Sequence, residues 1–412
     1  MKIGRFAAVC NVSTDTIRYY IQENLLFPRK NGTQWEFTNK DLDDFSRIQE
    51  LKQMRFSIRE TQAALQLERM SNLIEAATID EYETILHEKK RILEKEQEEL
   101  TASMTLLDKE LGRTEQMRRI HKKGHGGVPL SSVSLLTCPE CRKQLNIVDA
   151  SISFSYITEG TLSCSCGYQA RIRDGIVCTG HLYEGHHDTP DLKRELYHDT
   201  GREWEICMQK GTERMLEEIR QTDLHRKVVF EANINGFFFT YHFLKQLPHD
   251  NLFIFVDKYE EVLRMYKNYM EILYSDLNVL YIADASEHYP LKDNCIDVQL
   301  GIMGENEYAF YHRHHQIFDL SSQLKQSCEI IGLYSSCPKT SATMQQMKKR
   351  YPEGSERQYH ISNLEEDYRA CGYQMELTHI GDVLHTIKHH SYCAHVDGEP
   401  LSVYVYHAKK IQ

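Results

Sequence analysis

The chain has 412 residues, a formal charge of −11 and 41% apolar residues. This length suits two to four domains with packed cores, and the negative charge excludes a protein that coats nucleic acid along its whole length. There is no run of eighteen apolar residues, and Met1-Lys2-Ile3-Gly4-Arg5 does not lead into a long apolar stretch. Neither a membrane span nor a signal peptide is therefore expected, and the cytoplasm is the expected location. Twelve cysteines without an export signal point to metal ligation and free thiols rather than disulfides.

In chain order, Ile3, Phe6, Ala7 and Cys10 form a helical apolar stripe, and Val12 to Tyr20 reads as the second helix of a helix-turn-helix. Asn11 or Ser13 supplies the cap, and Asp15 sits in the first turn, where its charge suits the helix dipole. Thr14 and Arg18 lie four apart and can face one groove, while Ile17 and Tyr20 pack inward. Phe27-Pro28-Arg29-Lys30 ends the element, Asn31-Gly32-Thr33 reads as a turn, and Trp35-Glu36-Phe37-Thr38 alternates as a short strand. Thr38 or Asn39 then caps a helix carrying Leu42, Phe45, Ile48, Leu51 and Met54, and Ser57-Ile58-Arg59-Glu60 fits a capping box.

This succession resembles the DNA-binding domain of the MerR family of transcription regulators. The Thr-Ile-Arg-Tyr-Tyr run, the Leu-Leu-x-Pro exit, the wing and the Phe-Ser-Ile-x-Glu segment stand in order across residues 1 to about 70. The resemblance implies contact with a palindromic double-stranded promoter site through Thr14, Thr16, Arg18, Tyr19, Arg29, Lys30 and Trp35. It also implies homodimerisation and RNA polymerase as a partner. Two positions depart from the family: Glu36-Phe37 replaces Arg-Tyr in the wing, weakening an expected phosphate contact, and Asn24 replaces a glycine. Residues 1–70 hold eleven Lys/Arg against nine Asp/Glu, a net of +2, so the placement of the cations matters more than their total.

From residue 79 to about 120 the chain is rich in Glu, Lys, Arg and Leu. Leu86, Leu93, Leu100 and Leu107 recur every seven residues. If they occupy d positions, the a positions are Tyr82, Lys89, Glu96, Ser103 and Glu110, a half-polar seam that favours pairing over part of its length. His121 to Pro129, with three glycines, reads as a linker.

Cys138-Pro139-Glu140-Cys141 and Cys164-Ser165-Cys166-Gly167 are separated by strand-like segments. Two tight loops, each aiming two sulfurs at one ion, make a zinc-ribbon pattern of structural type, with Cys138, Cys141, Cys164 and Cys166 as ligands. Cys178 and His181 lie close enough in sequence to substitute for the fourth. Residues 182–224 read as mostly helical, with an apolar stripe of Trp204, Met208, Met215, Leu216 and Ile219.

From Lys227 onward, apolar strands alternate with helical stretches, which predicts a parallel sheet covered on both faces. Ala283-Asp284-Ala285 and Tyr289-Pro290-Leu291-Lys292-Asp293-Asn294-Cys295-Ile296-Asp297-Val298 resemble the third-to-fourth-strand signature of class I S-adenosylmethionine methyltransferases. A zinc ribbon just upstream is also similar to that of ribosomal RNA guanine methyltransferases. The resemblance implies that Asp257 would hold a ribose and that Asp284 would lie near an adenine. It also implies that Glu231 stands for the acid after the first strand. The family's three alternating glycines appear here as Asn233, Asn235 and Phe237, whose side chains would fill the cofactor's space. Glu231, Asn233, Asp257 and Asp284 are thus candidate ligand residues, and S-adenosylmethionine is not expected as a cofactor. A loop holding Tyr308, Phe310, Tyr311, His312, His314 and His315 can line a ligand pocket or bind metal. Its adjacent histidines, like His389-His390, are expected to be exposed.

The expected architecture is multidomain, α and α/β: a winged helix-turn-helix (1–75), a dimerisation coiled-coil helix (76–122), a linker (123–133), a zinc ribbon (134–182) and a Rossmann-like methyltransferase fold (183–412). The expected function is DNA-binding transcription regulation, with a catalytically inactive C-terminal domain that senses a small-molecule effector or mediates interaction. Two other readings stand beside it: a methyltransferase acting on RNA or a small molecule, and a zinc-responsive metal sensor.

Overall fold

The computed structural model describes residues 1–411 apart from 72, 120–125, 186–187, 199, 275–276, 287, 356 and 386–393, and describes no side chains at 116–119 and 196. The centre of the expected linker and His389-His390 lie outside the described residues. The chain divides into two compact units, Met1–Arg118 and Arg119–Gln412.

In the first unit, α1 (Ile3–Val9) and α2 (Thr14–Gln22) are joined by a turn in which Asn11 adopts φ 54°. Ser13, not Asn11, caps α2, its Oγ accepting from the Thr16 amide at 3.1 Å. Strands β1 (Arg29–Asn31) and β2 (Gln34–Glu36) form an antiparallel wing with Lys30 opposite Trp35. Asn24 takes φ 54°, a conformation asparagine tolerates better than most residues in a glycine's place. At α3 (Asn39–Gln53) the Thr38 amide donates to Asp41 Oδ2 at 2.7 Å. At α4 (Ile58–Ser71) the capping box forms: the Ser57 amide donates to Glu60 Oε2 at 2.6 Å, and the Glu60 amide to Ser57 Oγ at 3.3 Å. Phe6, Ile17, Leu25, Leu26, Phe45, Ile48 and Leu51 close the core.

Helix α5 (Ala76–Arg119) serves two ends. Its first half lies on its own head. Arg47 donates to the Tyr82 hydroxyl at 2.5 Å, Lys89 pairs with Glu60 at 3.0 Å, and Arg55 pairs with Glu96 at 2.8 Å. The a positions Tyr82, Lys89 and Glu96 therefore face the chain's own head, which corrects their reading as part of a dimer seam, while Ser103 and Glu110 are exposed. Further along, Leu100, Met104, Leu107 and Leu111 recur at alternating four- and three-residue steps and stay exposed.

The second unit is built on one twelve-stranded sheet. Its elements are β3 (Val128–Pro129), β4 (Asn146–Ser153), β5 (Tyr156–Ser163), β6 (Gln169–Arg173), β7 (Ile176–Cys178), α6 (Arg202–Gln221), β8 (Val228–Ala232), α7 (Phe239–Phe243), β9 (Leu252–Asp257), α8 (Glu260–Leu273), β10 (Asn278–Ala283), β11 (Ile296–Ile302), α9 (Gly304–Ala309), α10 (Ile317–Leu320), β12 (Leu324–Ser336), α11 (Ala342–Arg350), α12 (Ile361–Ala370), β13 (Tyr373–Val383) and β14 (Leu401–Lys410). The order runs β13-β14-β12-β11-β8-β9-β10-β7-β6-β5-β3, with β4 also on β5. Strands β7 to β12 in the centre are parallel, whereas β14 is antiparallel to both β12 and β13, so the sheet is mixed rather than all parallel. The order reverses between β8 and β11, the crevice where ligands bind in open sheets of this kind.

Alternation along β9 divides the core. Phe253 and Phe255 enter one face, Ile254 and Val256 the other. The ribbon strands are continuous with this sheet, because Ile176, Val177 and Cys178 pair in parallel with Tyr281, Ile282 and Ala283. The described residues of 182–201 are largely irregular, and the helix expected there is confined to Arg202–Gln221. Leu324 to Cys328 form the first part of the long strand β12. Among the described residues no helix is long and apolar enough to cross a membrane.

Candidate functional sites

On α2, burial of Ile17 and Tyr20 leaves Arg18 and Tyr19 outward. Thr14 stands one turn before Arg18, and Arg18 Nη1 bonds Asp15 Oδ1 at 2.7 Å. Both side chains of that pair are largely exposed, so the contact is weak and readily exchanged for another anion. On the wing, Lys30 Nζ lies 5.4 Å from the Trp35 ring centre, and Asn31 donates to Glu36 Oε1 at 3.2 Å. Glu36 thereby sits across the strand from Arg29, where the register pairs them.

The four thiols of Cys138, Cys141, Cys164 and Cys166 converge, with their sulfurs within 4.8 Å of one another. Cys138 Sγ is 3.4 Å from Cys166 Sγ, and Cys141 Sγ is 3.4 Å from Cys164 Sγ. Four thiolates around a tetrahedral ion at ~2.3 Å would stand roughly 3.8 Å apart, so the set fits a metal of zinc type. Each pair sits on a tight knuckle. In the first, Arg142 N donates to Cys138 O at 2.9 Å and Cys138 N to Lys143 O at 2.8 Å. In the second, Gly167 at φ 102° lets its amide reach Cys164 O at 3.0 Å, a conformation few side chains permit. Burial pushes the Cys138 thiol up to about 12, while the Cys166 amide draws Cys164 down to about 6. The cluster thus contains one thiol ready to ionise and one that needs a cation to do so. Cys178 stands apart, its thiol 3.3 Å from Glu260 Oε2, and neither it nor His181 joins the cluster.

The first knuckle is stitched to the loop after β10. Thr137 N donates to Pro290 O at 3.2 Å, and Lys292 N to Leu135 O at 2.8 Å. The ribbon therefore reaches the same edge of the sheet as the acids of the cleft.

Parallel register brings those acids together: Asp257 pairs with Ala283, the residue before Asp284, and Glu231 faces Phe255. Glu231 is fully buried and caps α7, its two oxygens accepting from the Phe239 and Thr240 amides at 2.7 and 2.9 Å. Burial raises its carboxyl to about 7. Asp257 is likewise occupied: Oδ2 accepts from the Asn235 amide at 2.8 Å and Oδ1 from the Tyr259 amide at 2.9 Å. Burial raises it to about 6.

The glycine-like conformation is present at Asn233, φ 60°, whose side chain donates to Gly304 O at 3.2 Å. Asn235 ties down the segment that precedes α6: its Oδ1 accepts from the Asp191 amide at 2.8 Å, and its Nδ2 donates to Thr189 O at 3.2 Å and Asp188 Oδ2 at 3.3 Å. Arg194 reinforces this strap by donating to Asn235 O at 2.7 Å and Gly236 O at 2.6 Å. Phe237 does not behave as expected. Its ring lies 6.0 Å from Trp204 and 6.1 Å from Tyr197, packed on the core, and it does not line the cavity beside Asp284. Asn235 and residues 188–193 line a separate cavity.

Asp284 closes the row, with Oδ1 accepting from the Ser286 amide at 2.6 Å. Burial raises its carboxyl, with Ser286 and Thr179 acting in the opposite direction. Lys258, beside it in the cleft, was not singled out from the sequence, although a lysine after a strand-ending aspartate was a signal. Its Nζ lies 2.6 Å from Glu307 and 2.9 Å from Asp188, and 3.9 Å from the centre of the Tyr311 ring. Burial opposes its charge, but Glu307 and Asp188 outweigh that and hold the ammonium protonated. The histidines behave differently from the expectation of exposure. His315 is fully buried between Asp367, at 2.7 Å, and Tyr334, at 3.2 Å, and His314 pairs with Asp319 at 2.8 Å.

A family model described as MerR HTH family regulatory protein matches residues 1–68. No curated protein matches the chain. Among solved structures, it is similar to a phosphoethanolamine N-methyltransferase 2 of Haemonchus contortus, with 11% identity and a TM-score of 0.35 over 48% of this chain and 53% of the other. This chain thus spans about half the length of that enzyme. It is also similar to a SAM-dependent methyltransferase from Aquifex aeolicus, with 14% identity and a TM-score of 0.34 over 52% and 98% of the two chains. A transcriptional regulator of the MerR family from Bacillus cereus is 26% identical, with a TM-score of 0.24 over 28% of this chain and 82% of that one. Residues 1–68 are therefore a MerR-type helix-turn-helix domain, heading a chain whose larger unit is a mixed, Rossmann-like sheet.

Proposed function

We propose that the protein is a dimeric, DNA-binding transcription regulator of the MerR type whose methyltransferase-like unit does not transfer methyl groups. The observation that carries the reading is the family match over residues 1–68, which includes a helix that leaves Arg18 and Tyr19 exposed and Thr14 and Thr16 half-exposed. Arg18 and the threonines read base edges in the major groove, while Arg29, Lys30 and Trp35 of the wing meet the backbone. The exposed stripe of α5 pairs two copies and sets the half-site spacing of a palindromic promoter. RNA polymerase is the partner that the family resemblance supplies, and the cytoplasm is the location. One structural zinc ion is held by Cys138, Cys141, Cys164 and Cys166.

The inactivity of the second unit is supported by its acids. Asp257 is buried with both oxygens already accepting from backbone amides, which leaves it poorly presented to a ribose, and the Asn235-bound strap packs against the loop after β8. Those residues do not fit S-adenosylmethionine as they stand. What remains is a cleft for a different effector, which would act by favouring one dimer arrangement over another.

The test is footprinting on genomic fragments with the full-length protein, joined to a labelled-methyl transfer assay over RNA, DNA and cell extract. A protected palindrome with no methyl transfer is the expected result. Absence of any protected site would remove the regulator reading, and transfer abolished by Asp257→Ala would replace it with the enzyme.

A further inference from the structure

A cavity of about 140 Å³ opens at the C-terminal ends of the central strands, lined by Asp284, Lys258, Tyr183, Tyr289, Tyr308 and Tyr311 among others. It is smaller than the space a drug-sized ligand takes, and four tyrosines stand in its wall. The polar groups facing it are unequally satisfied. Lys258 is already held by Glu307 and Asp188. Tyr183 donates to Glu353 at 3.1 Å. Asp284, by contrast, is 3% exposed and keeps Oδ2 buried without a hydrogen-bond partner, and the Tyr311 hydroxyl is also buried without one. An unmatched buried carboxylate oxygen costs far more than a typical hydrogen bond contributes, so the cavity is built around a missing donor.

The chemistry of that donor follows from the surroundings. An anion would meet Asp284 together with Glu353, and Lys258 in the wall is already paired with two carboxylates. A neutral apolar ligand would leave Oδ2 unsatisfied. A flat cation answers both demands, since its N–H groups can bond a carboxylate while its face lies on tyrosine rings. We propose that this cavity binds a small, flat organic cation of the amidinium or guanidinium class, with its N–H groups on Asp284 Oδ2 and the Tyr311 hydroxyl oxygen and its plane against the tyrosines. This deepens the effector part of the reading above and rests on it only for the consequence at DNA; the binding event is independent of it.

The experiment is calorimetric titration of the full-length protein, without DNA, with benzamidine, guanidinium and the neutral isostere benzamide. Benzamidine is expected to bind once per chain, with benzamide at least tenfold weaker. Asp284→Asn should weaken benzamidine at least tenfold and leave benzamide unchanged. Tyr311→Phe, which removes one hydroxyl and keeps the ring, should weaken benzamidine about threefold and serves if the aspartate variant fails to fold. Equal affinity for benzamidine and benzamide, no binding up to millimolar benzamidine, or unchanged affinity in every folded variant would overturn the proposal. So would S-adenosylmethionine binding that Asp284→Asn abolishes. A protein that binds benzamidine but protects no palindrome would keep this site and lose the regulator reading, and the converse result would do the opposite.

Discussion

Truncating the free stripe of α5 should convert the protein from dimer to monomer. Leu100 and Leu107 are 62% and 64% exposed within the chain, while the preceding half of the helix is anchored to its own head. Burying a leucine completely is worth ~2 kcal/mol, of which roughly six-tenths remains to be gained here, or about 1.3 kcal/mol per side chain. Alanine would forgo most of that, about 1 kcal/mol each, and a symmetric dimer contains each position twice. Leu100→Ala/Leu107→Ala should therefore cost ~4 kcal/mol of association, which raises Kd by roughly a thousandfold at 1.4 kcal/mol per decade. Both residue types favour helix, so the helix itself should survive. Sedimentation equilibrium measures the change, and far-ultraviolet circular dichroism checks that helix content is kept. A double variant whose Kd stays within about threefold of the parent, or a parent that is monomeric across the accessible range, would refute the assignment of this stripe as the seam.

Other expectations concern the three sites separately. Arg18→Ala should weaken operator binding by about 1–3 kcal/mol with relaxed preference at one base pair, measured by competition binding on single-base operator variants. The chain should carry one zinc ion by elemental analysis. Cys138→Ser/Cys164→Ser should lose it and expose the ribbon to proteolysis, while full retention of metal would remove the assignment. Glu231 links stability to pH. Its folded carboxyl ionises near pH 7 against 4.5 for the free group. Between those values the unfolded chain binds fewer protons than the folded one, so this residue's contribution falls as pH rises through that window and is fully present below it. Denaturant unfolding of Glu231→Gln from pH 4.5 to 7 should show less loss of stability with rising pH than the parent; an identical slope would contradict the buried cap.

Local chemistry was the most legible part of the chain. Serine oxygens at Ser13 and Ser57 could only be caps once the apolar stripes were placed, and Glu60 three residues on completed one box. Asn24 stood where positive φ was required and adopts it. The four cysteines converge as spaced, because two short knuckles leave their sulfurs few other directions. Strand-ending acids also fell into line, since parallel register puts strand ends at one edge. What could not be read depended on pairing across sequence distance. Ile176-Val177-Cys178 is too short a run to announce a parallel partner, yet its pairing with β10 merges the ribbon and the α/β sheet. Tyr82, Lys89 and Glu96 of α5 looked like part of a weak seam because periodicity cannot say whether a helix faces its twin or its own head. His315 looked like one of several loop histidines; its burial depends on Asp367, fifty-two residues on, which no local pattern connects to it.

The proposed exclusion of S-adenosylmethionine rests on the segment after β8, and it can be tested. Sequence alone places a block at Asn233, Asn235 and Phe237 together, where side chains replace three glycines. The structure packs the Phe237 ring with Trp204 and Tyr197, whereas the Asn235 side chain makes three hydrogen bonds to residues 188–191. At ~0.5–1.5 kcal/mol each, those bonds hold the strap by roughly 2–4 kcal/mol. Lys258 and Arg194 hold it independently, the first through Asp188 and the second through main-chain oxygens, so removing the Asn235 side chain should loosen the strap without detaching it. Asn235→Ala should accordingly speed amide hydrogen exchange at Asp191 by about thirtyfold or more, the equivalent of ~2 kcal/mol, with the core strands β8 and β9 unaffected. Phe237→Ala should leave exchange at 188–194 near the parent value. If the strap is the barrier, Asn235→Gly combined with Asp188→Ala should raise affinity for S-adenosylmethionine, and Phe237→Gly should not. The reverse pattern, with Phe237→Gly admitting the cofactor while the strap variants exchange like the parent, would return the block to the aromatic ring and make the strap a bystander.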